Sequence, residues 1–191
     1  MPPRSIASVR LGCARMASDF AMQPLTAENR PIVERFWQLY RHDLSDFRGT
    51  HGPSGFRGSL PDEDGKFHVR GLLPYFDADA DRAAYVFHSG PNPAGFAFVS
   101  RLTSPARLMS EFFVVRGLRG HGIGRAAVDE LFARYPGEWE IPFQENNVAA
   151  ARFWRRVAAD VAGDDVREDR RPVPDKPDVP PDVWITITVG S

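Results

Sequence analysis

A chain of 191 residues, 42% apolar and 26% charged, has the length and composition of one soluble globular domain with a sizeable core. Its net charge of −1 argues against a general nucleic-acid binder, which carries a clearly basic balance. The single cysteine, Cys13, excludes an intramolecular disulfide, a cysteine zinc site and a CxxC redox pair. No apolar run approaches the ~20 residues of a membrane helix, and the whole fits a reducing, cytoplasmic compartment.

Residues 1–18 contain Arg4, Arg10 and Arg15, three serines and no acid. Arginines interrupt any apolar core a secretory signal would need; a transit peptide shares the composition. The simpler reading is a flexible extension, with Met16 or Met22 able to open a domain at 19–191. Phe20 to Leu25 reads as a short strand. Thr26-Ala27-Glu28-Asn29 then offers a helix N-cap, with Glu28 one position early for a strict capping box, and Pro31 suits a first turn. Ile32, Phe36, Leu39 and Tyr40, with Val33 and Trp37 beside them, predict an amphipathic helix to about His42.

Residues 43–66 are turn-rich, and so long a connection in a compact domain implies a use. Two strands follow, Arg82–His88 and Ala94–Ser100, joined by a Ser-Gly-Pro-Asn-Pro turn into an antiparallel hairpin. A third strand runs from about Leu108 into Phe112-Phe113-Val114-Val115.

Arg116 to Gly124 is basic and glycine-rich, and Ile123, Ala127, Leu131 and Tyr135 then recur at one helical face until Pro136-Gly137. Strand, glycine turn and helix together describe an anion site. The first N–H groups of a helix lack internal partners and lie at the positive end of its dipole, and glycine admits a phosphate to them. There is no Gly-Lys-Ser/Thr of a Walker loop, and Gly120, Gly122 and Gly124 alternate where a Rossmann fingerprint reads G-x-G-x-x-G. The remaining alternative is a glycine-rich turn with solvated arginines.

Trp139-Glu140-Ile141-Pro142-Phe143 is a short strand whose proline marks an edge or the end of pairing. Asn146 and Asn147 are N-caps for a helix with Ala150, Trp154, Val157 and Val161 on its apolar face. Val183–Val189 is a strand, with Asp165–Glu168 as its antiparallel partner across the loop 172–181.

Arg119-x-x-Gly122-x-Gly124 resembles the R/Q-x-x-G-x-G/A loop of the GNAT (Gcn5-related) acetyltransferases, and Asn147-x-x-Ala150-x-x-Phe153-Trp154 resembles that family's second signature, N-x-x-A-x-x-F-Y, at the usual separation. The chain is closer still to a bacterial subgroup of predicted acetyltransferases, over roughly residues 20–190. The resemblance implies an α/β (α+β) GNAT fold. Its mixed, mostly antiparallel sheet has six to seven strands, with about four helices and a splayed parallel central pair. It implies transfer of an acetyl group from acetyl-CoA to an amine of a small molecule or protein, by direct attack in a ternary complex. The implied cofactor contacts are Phe113, Val114 and Val115 on the strand, Arg119, Gly120, His121, Gly122, Ile123, Gly124 and Arg125 around the loop, and Asn147, Phe153 and Trp154 on the later helix. Arg48, His51, Arg57 and His68 are candidate acceptor contacts. Glu111 is the first candidate for general base and Glu140 the second; either also reads as a solvated strand-end carboxylate.

One departure stands out. Many family members protonate the leaving thiolate with the tyrosine of the second signature, and Trp154 stands there instead. That substitution leaves open a non-catalytic acyl-CoA-binding or regulatory module. A nucleotide-dependent enzyme of another fold is disfavoured by loop spacing and strand order. No metal, nucleic acid or membrane is expected as a partner, and the oligomeric expectation is monomer or homodimer.

Overall fold

The computed structural model of the chain describes residues 19–48, 60–77, 79–174 and 179–190. The expected extension 1–18 and the candidates His51 and Arg57 lie outside the described residues, as does the side chain of Arg48. Seven strands form one sheet in the order β1-β2-β3-β4-β5-β7-β6: β1 (Phe20–Pro24), β2 (Arg82–Ser89), β3 (Asn92–Ser100), β4 (Ala106–Val114), β5 (Gly137–Phe143), β6 (Arg167–Arg171) and β7 (Asp182–Val189). Every adjacent pair is antiparallel except β4 and β5. These two run parallel and are paired only at Ala106–Glu138, Arg107–Trp139 and Leu108–Glu140. Past that point the central strands part. Pro142, which has no N–H to give, lies in the stretch of β5 that has lost β4 but still faces Trp184 of β7.

A bulge in β4 sets which groups reach the gap. Phe98 faces Glu111 and Val99 faces Met109, so Ser110 is the extra residue. Beyond it, the Val115 N–H bonds the Ala94 carbonyl at 2.9 Å. Backbone groups alternate along an antiparallel ladder, so Phe113 also points its N–H at β3, while those of Phe112 and Val114 point into the gap.

Three helices cover the sheet: α1 (Arg30–Arg48), α2 (Ile123–Arg134) and α3 (Val148–Ala162). The described residues therefore hold three α-helices and three single 3-10 turns where about four helices were expected. Val33 and Trp37 of α1 pack with Phe96, Phe98 and Phe113 on one face of the sheet. On the other face Ile123, Leu131, Trp154 and Val157 of α2 and α3 pack with Phe87, Trp139 and Ile185. Strands β2, β3 and β4 alternate between these two cores, whereas the buried apolar residues of β5 and β7 lie only on the face that carries Trp139, Ile141, Ile185 and Ile187.

Helix α1 starts with Pro31 in its first turn, as expected, and ends later than its periodicity suggested. Asn29 completes the cap that Glu28 was too early to make: its Oδ1 accepts the Thr26 N–H at 2.7 Å, and Thr26 Oγ1 accepts the Asn29 N–H at 3.4 Å. Leu44, which is buried, and Phe47 then carry the apolar face past His42, whereas Leu39 is exposed.

Candidate active site

After Val115, a 3-10 turn at Arg116–Leu118 leads into the glycine loop. Gly120 and Gly122 have φ of +79° and +86°, a left-handed backbone that side chains disfavour. Gly122 is the N-cap of α2 and brings no side chain to cap it. The first intrahelical bond runs from the Ala126 N–H to the Gly122 carbonyl, leaving the four preceding N–H groups without helical acceptors. They point outward with the positive end of the helix dipole.

Arg119 is held twice. Its Nε donates to the Val114 carbonyl at 2.8 Å and its Nη2 to Asp43 of α1 at 2.6 Å, and Arg116 donates to the other Asp43 oxygen at 2.8 Å. His121 turns back on the loop, its Nδ1 2.9 Å from the Arg119 carbonyl oxygen. Arg125 pairs with Asp129 and with Asp160 of α3.

The far wall is α3. Asn147 caps it by accepting the Ala150 N–H at 3.2 Å, and Asn146 donates to the Phe47 carbonyl at 2.7 Å, tying the start of α3 to the end of α1. The Phe153 ring stacks on Phe112 at 5.8 Å and lies where a Cβ on Gly124 would touch it, 3.4 Å away. Between these walls is a cleft of about 710 Å³. Of the sequence-derived candidates, Phe113, Val114, Arg119, Gly120, Gly122, Gly124, Arg125, Asn147 and Phe153 line it. Val115, His121, Ile123 and Trp154 do not: Val115 has spent its N–H on Ala94, His121 folds onto the loop, and Ile123 offers only backbone.

Trp154 faces the core instead. It is 5% exposed and packs edge-on to Phe112 at 5.1 Å and Phe153 at 4.8 Å. The helical spacing puts it on the apolar face, and the structure follows that spacing rather than the cofactor contact the resemblance implied. Arg156, one helical step beyond Phe153, lines the cleft and has no hydrogen-bond or ion-pair partner among the described residues.

The two carboxylates separate clearly. Glu111 lies on the α1 face of β4, next to the cleft-lining Phe112, and accepts a hydrogen bond from the Tyr40 hydroxyl. Tyr40 itself lines the cleft. Beside Glu111, Ser110 and Ser100 share a hydrogen bond at 2.7 Å, and Tyr75 stacks on Phe98 at 4.4 Å. Burial raises the Tyr75 hydroxyl above its ordinary pKa, opposed by its hydrogen bonds to Ser110 and Ser100. Glu140, by contrast, is clamped between Arg101 at 2.6 Å and Arg171 at 2.7 Å, and is absent from the cleft wall. His68 contributes only its carbonyl, which accepts the Trp37 indole N–H at 2.9 Å. Tyr40 and Asp43 are among the site residues that sequence reasoning missed, since they sit on α1, a helix read for its core face alone.

Among the described residues no group of three or more His, Cys, Asp or Glu side chains is placed to hold a metal ion, and no helix is long and apolar enough to cross a membrane.

Comparison with solved structures finds the same fold at low identity. An acetyltransferase from Thermus thermophilus aligns over 89% of this chain and 97% of its own, with a TM-score of 0.60 and 18% identity. A spermidine N-acetyltransferase from Vibrio cholerae, in complex with CoA and spermine, aligns over 90% and 96%, with a TM-score of 0.59 and 11% identity. The ribosomal-protein-S18-alanine N-acetyltransferase from Escherichia coli aligns over 90% and 95%, with a TM-score of 0.55 and 10% identity. A comparison with curated proteins finds no match. The family model of the acetyltransferase (GNAT) family matches residues 36–158, from α1 through the glycine loop to α3. With the splayed β4–β5 pair, the left-handed glycines and the α3 wall already in place, the chain belongs to the GNAT acetyltransferase family.

Proposed function

We propose that the protein transfers an acetyl group from acetyl-CoA to a primary amine within a ternary complex. The observation that carries this is the parting of β4 from β5 after Leu108–Glu140, beside a cleft floored by the glycine loop. The cleft suits a long ligand with phosphates at one end and an extended amide arm at the other. Free amides at the start of α2, with Arg119 beside them, would hold the phosphates. The inward N–H groups of Phe112 and Val114 would hold the arm and polarise a carbonyl. When bound, acetyl-CoA supplies the activated acyl group and the leaving thiol.

The chain's own residues supply position and proton transfer. Glu111 is the proposed general base, placed by Tyr40 and by the bulge at Ser110. Glu140 is assigned to holding β5, β6 and the β3–β4 turn together through Arg101 and Arg171. The acceptor is an amine of a small molecule or a protein; the names of the two functionally described neighbours span a polyamine and a protein alanine.

A second reading, a module that binds acyl-CoA without turnover, is favoured by the buried Trp154 where a tyrosine is expected. Calorimetric binding of CoA, followed by thiol release from acetyl-CoA across an amine panel, separates the two. Turnover supports the enzyme; tight binding with no release on a broad panel sinks it. Replacing Gly122 by valine, or Gly124 by leucine against Phe153, is expected to abolish CoA binding, and unchanged affinity would refute the assigned loop.

A further inference from the structure

The site has lost the tyrosine that would protonate the departing thiolate, and the structure carries another on the opposite wall. We propose that Tyr40 is a catalytic residue that gives its proton to the leaving thiolate and is resupplied by Glu111. This rests on the acetyl-transfer reading above.

The chain has four tyrosines, and three are placed elsewhere. Tyr85 and Tyr135 are hydrogen-bonded to each other at 2.6 Å, and Tyr75 is stacked on Phe98 beside Ser100 and Ser110. None of the three lines the cleft, whereas Tyr40 does. The Tyr40 ring is fixed by Trp37 at 5.5 Å, Phe96 at 5.6 Å and Phe113 at 5.9 Å, so its hydroxyl has little freedom to lose. The hydroxyl donates to Glu111, which stands one step back from the cleft wall.

Acidities explain why the pair is needed. A phenol near 10 is a weaker acid than a thiol near 8.5, so alone it gives up a proton uphill by about thirtyfold. A carboxylic acid near 4.3 behind it reverses that balance. The relay closes: as the N–C bond forms and the C–S bond breaks, the amine nitrogen loses one proton to Glu111. Tyr40 passes its own proton to sulfur, and the Glu111 proton moves along the existing hydrogen bond to the Tyr40 oxygen. Both residues end as they began.

The test compares CoA with desulfo-CoA, which lacks the thiol, on full-length protein carrying ring-labelled tyrosine. Tyr40→Phe identifies the Tyr40 resonance and preserves the ring packing. Glu111→Gln is expected to move that resonance in the free protein. CoA is expected to move it and desulfo-CoA to leave it in place. Wild-type protein is expected to prefer CoA by about threefold to tenfold, the worth of one hydrogen bond, and Tyr40→Phe to lose that preference. Binding of both ligands with identical Tyr40 shifts overturns the proposal alone. Binding of neither overturns the acyl-CoA reading and the proposal with it.

Discussion

Asp43 and Arg119 are joined across the cleft, the Arg119 Nη2 lying 2.6 Å from Asp43 Oδ2 while Arg116 occupies the other oxygen at 2.8 Å. A carboxylate thus stands beside the loop assigned to phosphates. Because Arg119 is also held by the Val114 carbonyl, it keeps its place without Asp43. Asp43→Asn is therefore expected to tighten CoA binding about threefold at low salt, with the gain fading as salt screens it. Calorimetry at two ionic strengths reads this out; weaker binding would mean that Asp43 serves to aim the arginines.

Glu111→Gln and Glu140→Gln are expected to differ in kind. The first is expected to lower kcat by about 10²- to 10⁴-fold with CoA affinity unchanged, the range of a lost general base. The second leaves Arg101 and Arg171 facing each other without their shared carboxylate, and its main effect is on the melting temperature. Equal loss of kcat in both would reject the assignment of Glu111.

Restoring tyrosine at position 154 is not expected to help. Trp154 points into the core, so Trp154→Tyr removes packing against Phe112 and Phe153 and costs about 2 kcal/mol without placing a hydroxyl in the cleft. A rise in turnover would contradict this.

Gly95 is the tightest point of the sheet beside the site. A Cβ there would lie 2.0 Å from the Phe113 carbonyl oxygen, a backbone atom that cannot step aside alone. Gly95→Ala is expected to destabilise by about 3 kcal/mol through overpacking. Gly117→Ala, with nothing within 4 Å, is the near-neutral control in the same urea titration.

Stability is expected to fall in alkali. Burial first, and then its hydrogen bond with Tyr85, raises the Tyr135 hydroxyl well above its ordinary value near 10. The unfolded chain ionises there while the folded chain does not. The contribution is whole below about pH 10 and is lost as pH rises toward the folded value. Tyr135→Phe is expected to flatten that limb in urea unfolding; an unchanged slope would assign the loss elsewhere.

What could be read beforehand was what is local. The glycine-rich turn at 116–124, the cap at Asn147 and the Pro142 break each need only neighbours in the chain, and the strand order followed by resemblance. What escaped depends on distant partners. Tyr40 and Glu111 are 71 residues apart and Asp43 and Arg119 are 76, and no periodicity relates them. The same limit separated Glu111 from Glu140: only the arginines of β6 and the β3–β4 turn make one of them a clamp. Facing on a helix was legible for its bulk, as at Val33, Trp37 and Trp154, but not residue by residue, as Leu39 shows.

The three rungs that join β4 to β5 make the sheet two panels hinged at one end. On the proposed reading, a ligand arm bonded to the inward amides of Phe112 and Val114 would stand in for the missing strand, so that the donor would become a temporary structural member. Saturating CoA is then expected to slow amide exchange at Phe112 and Val114 more than anywhere else in the sheet. Product release, on this view, is an unzipping.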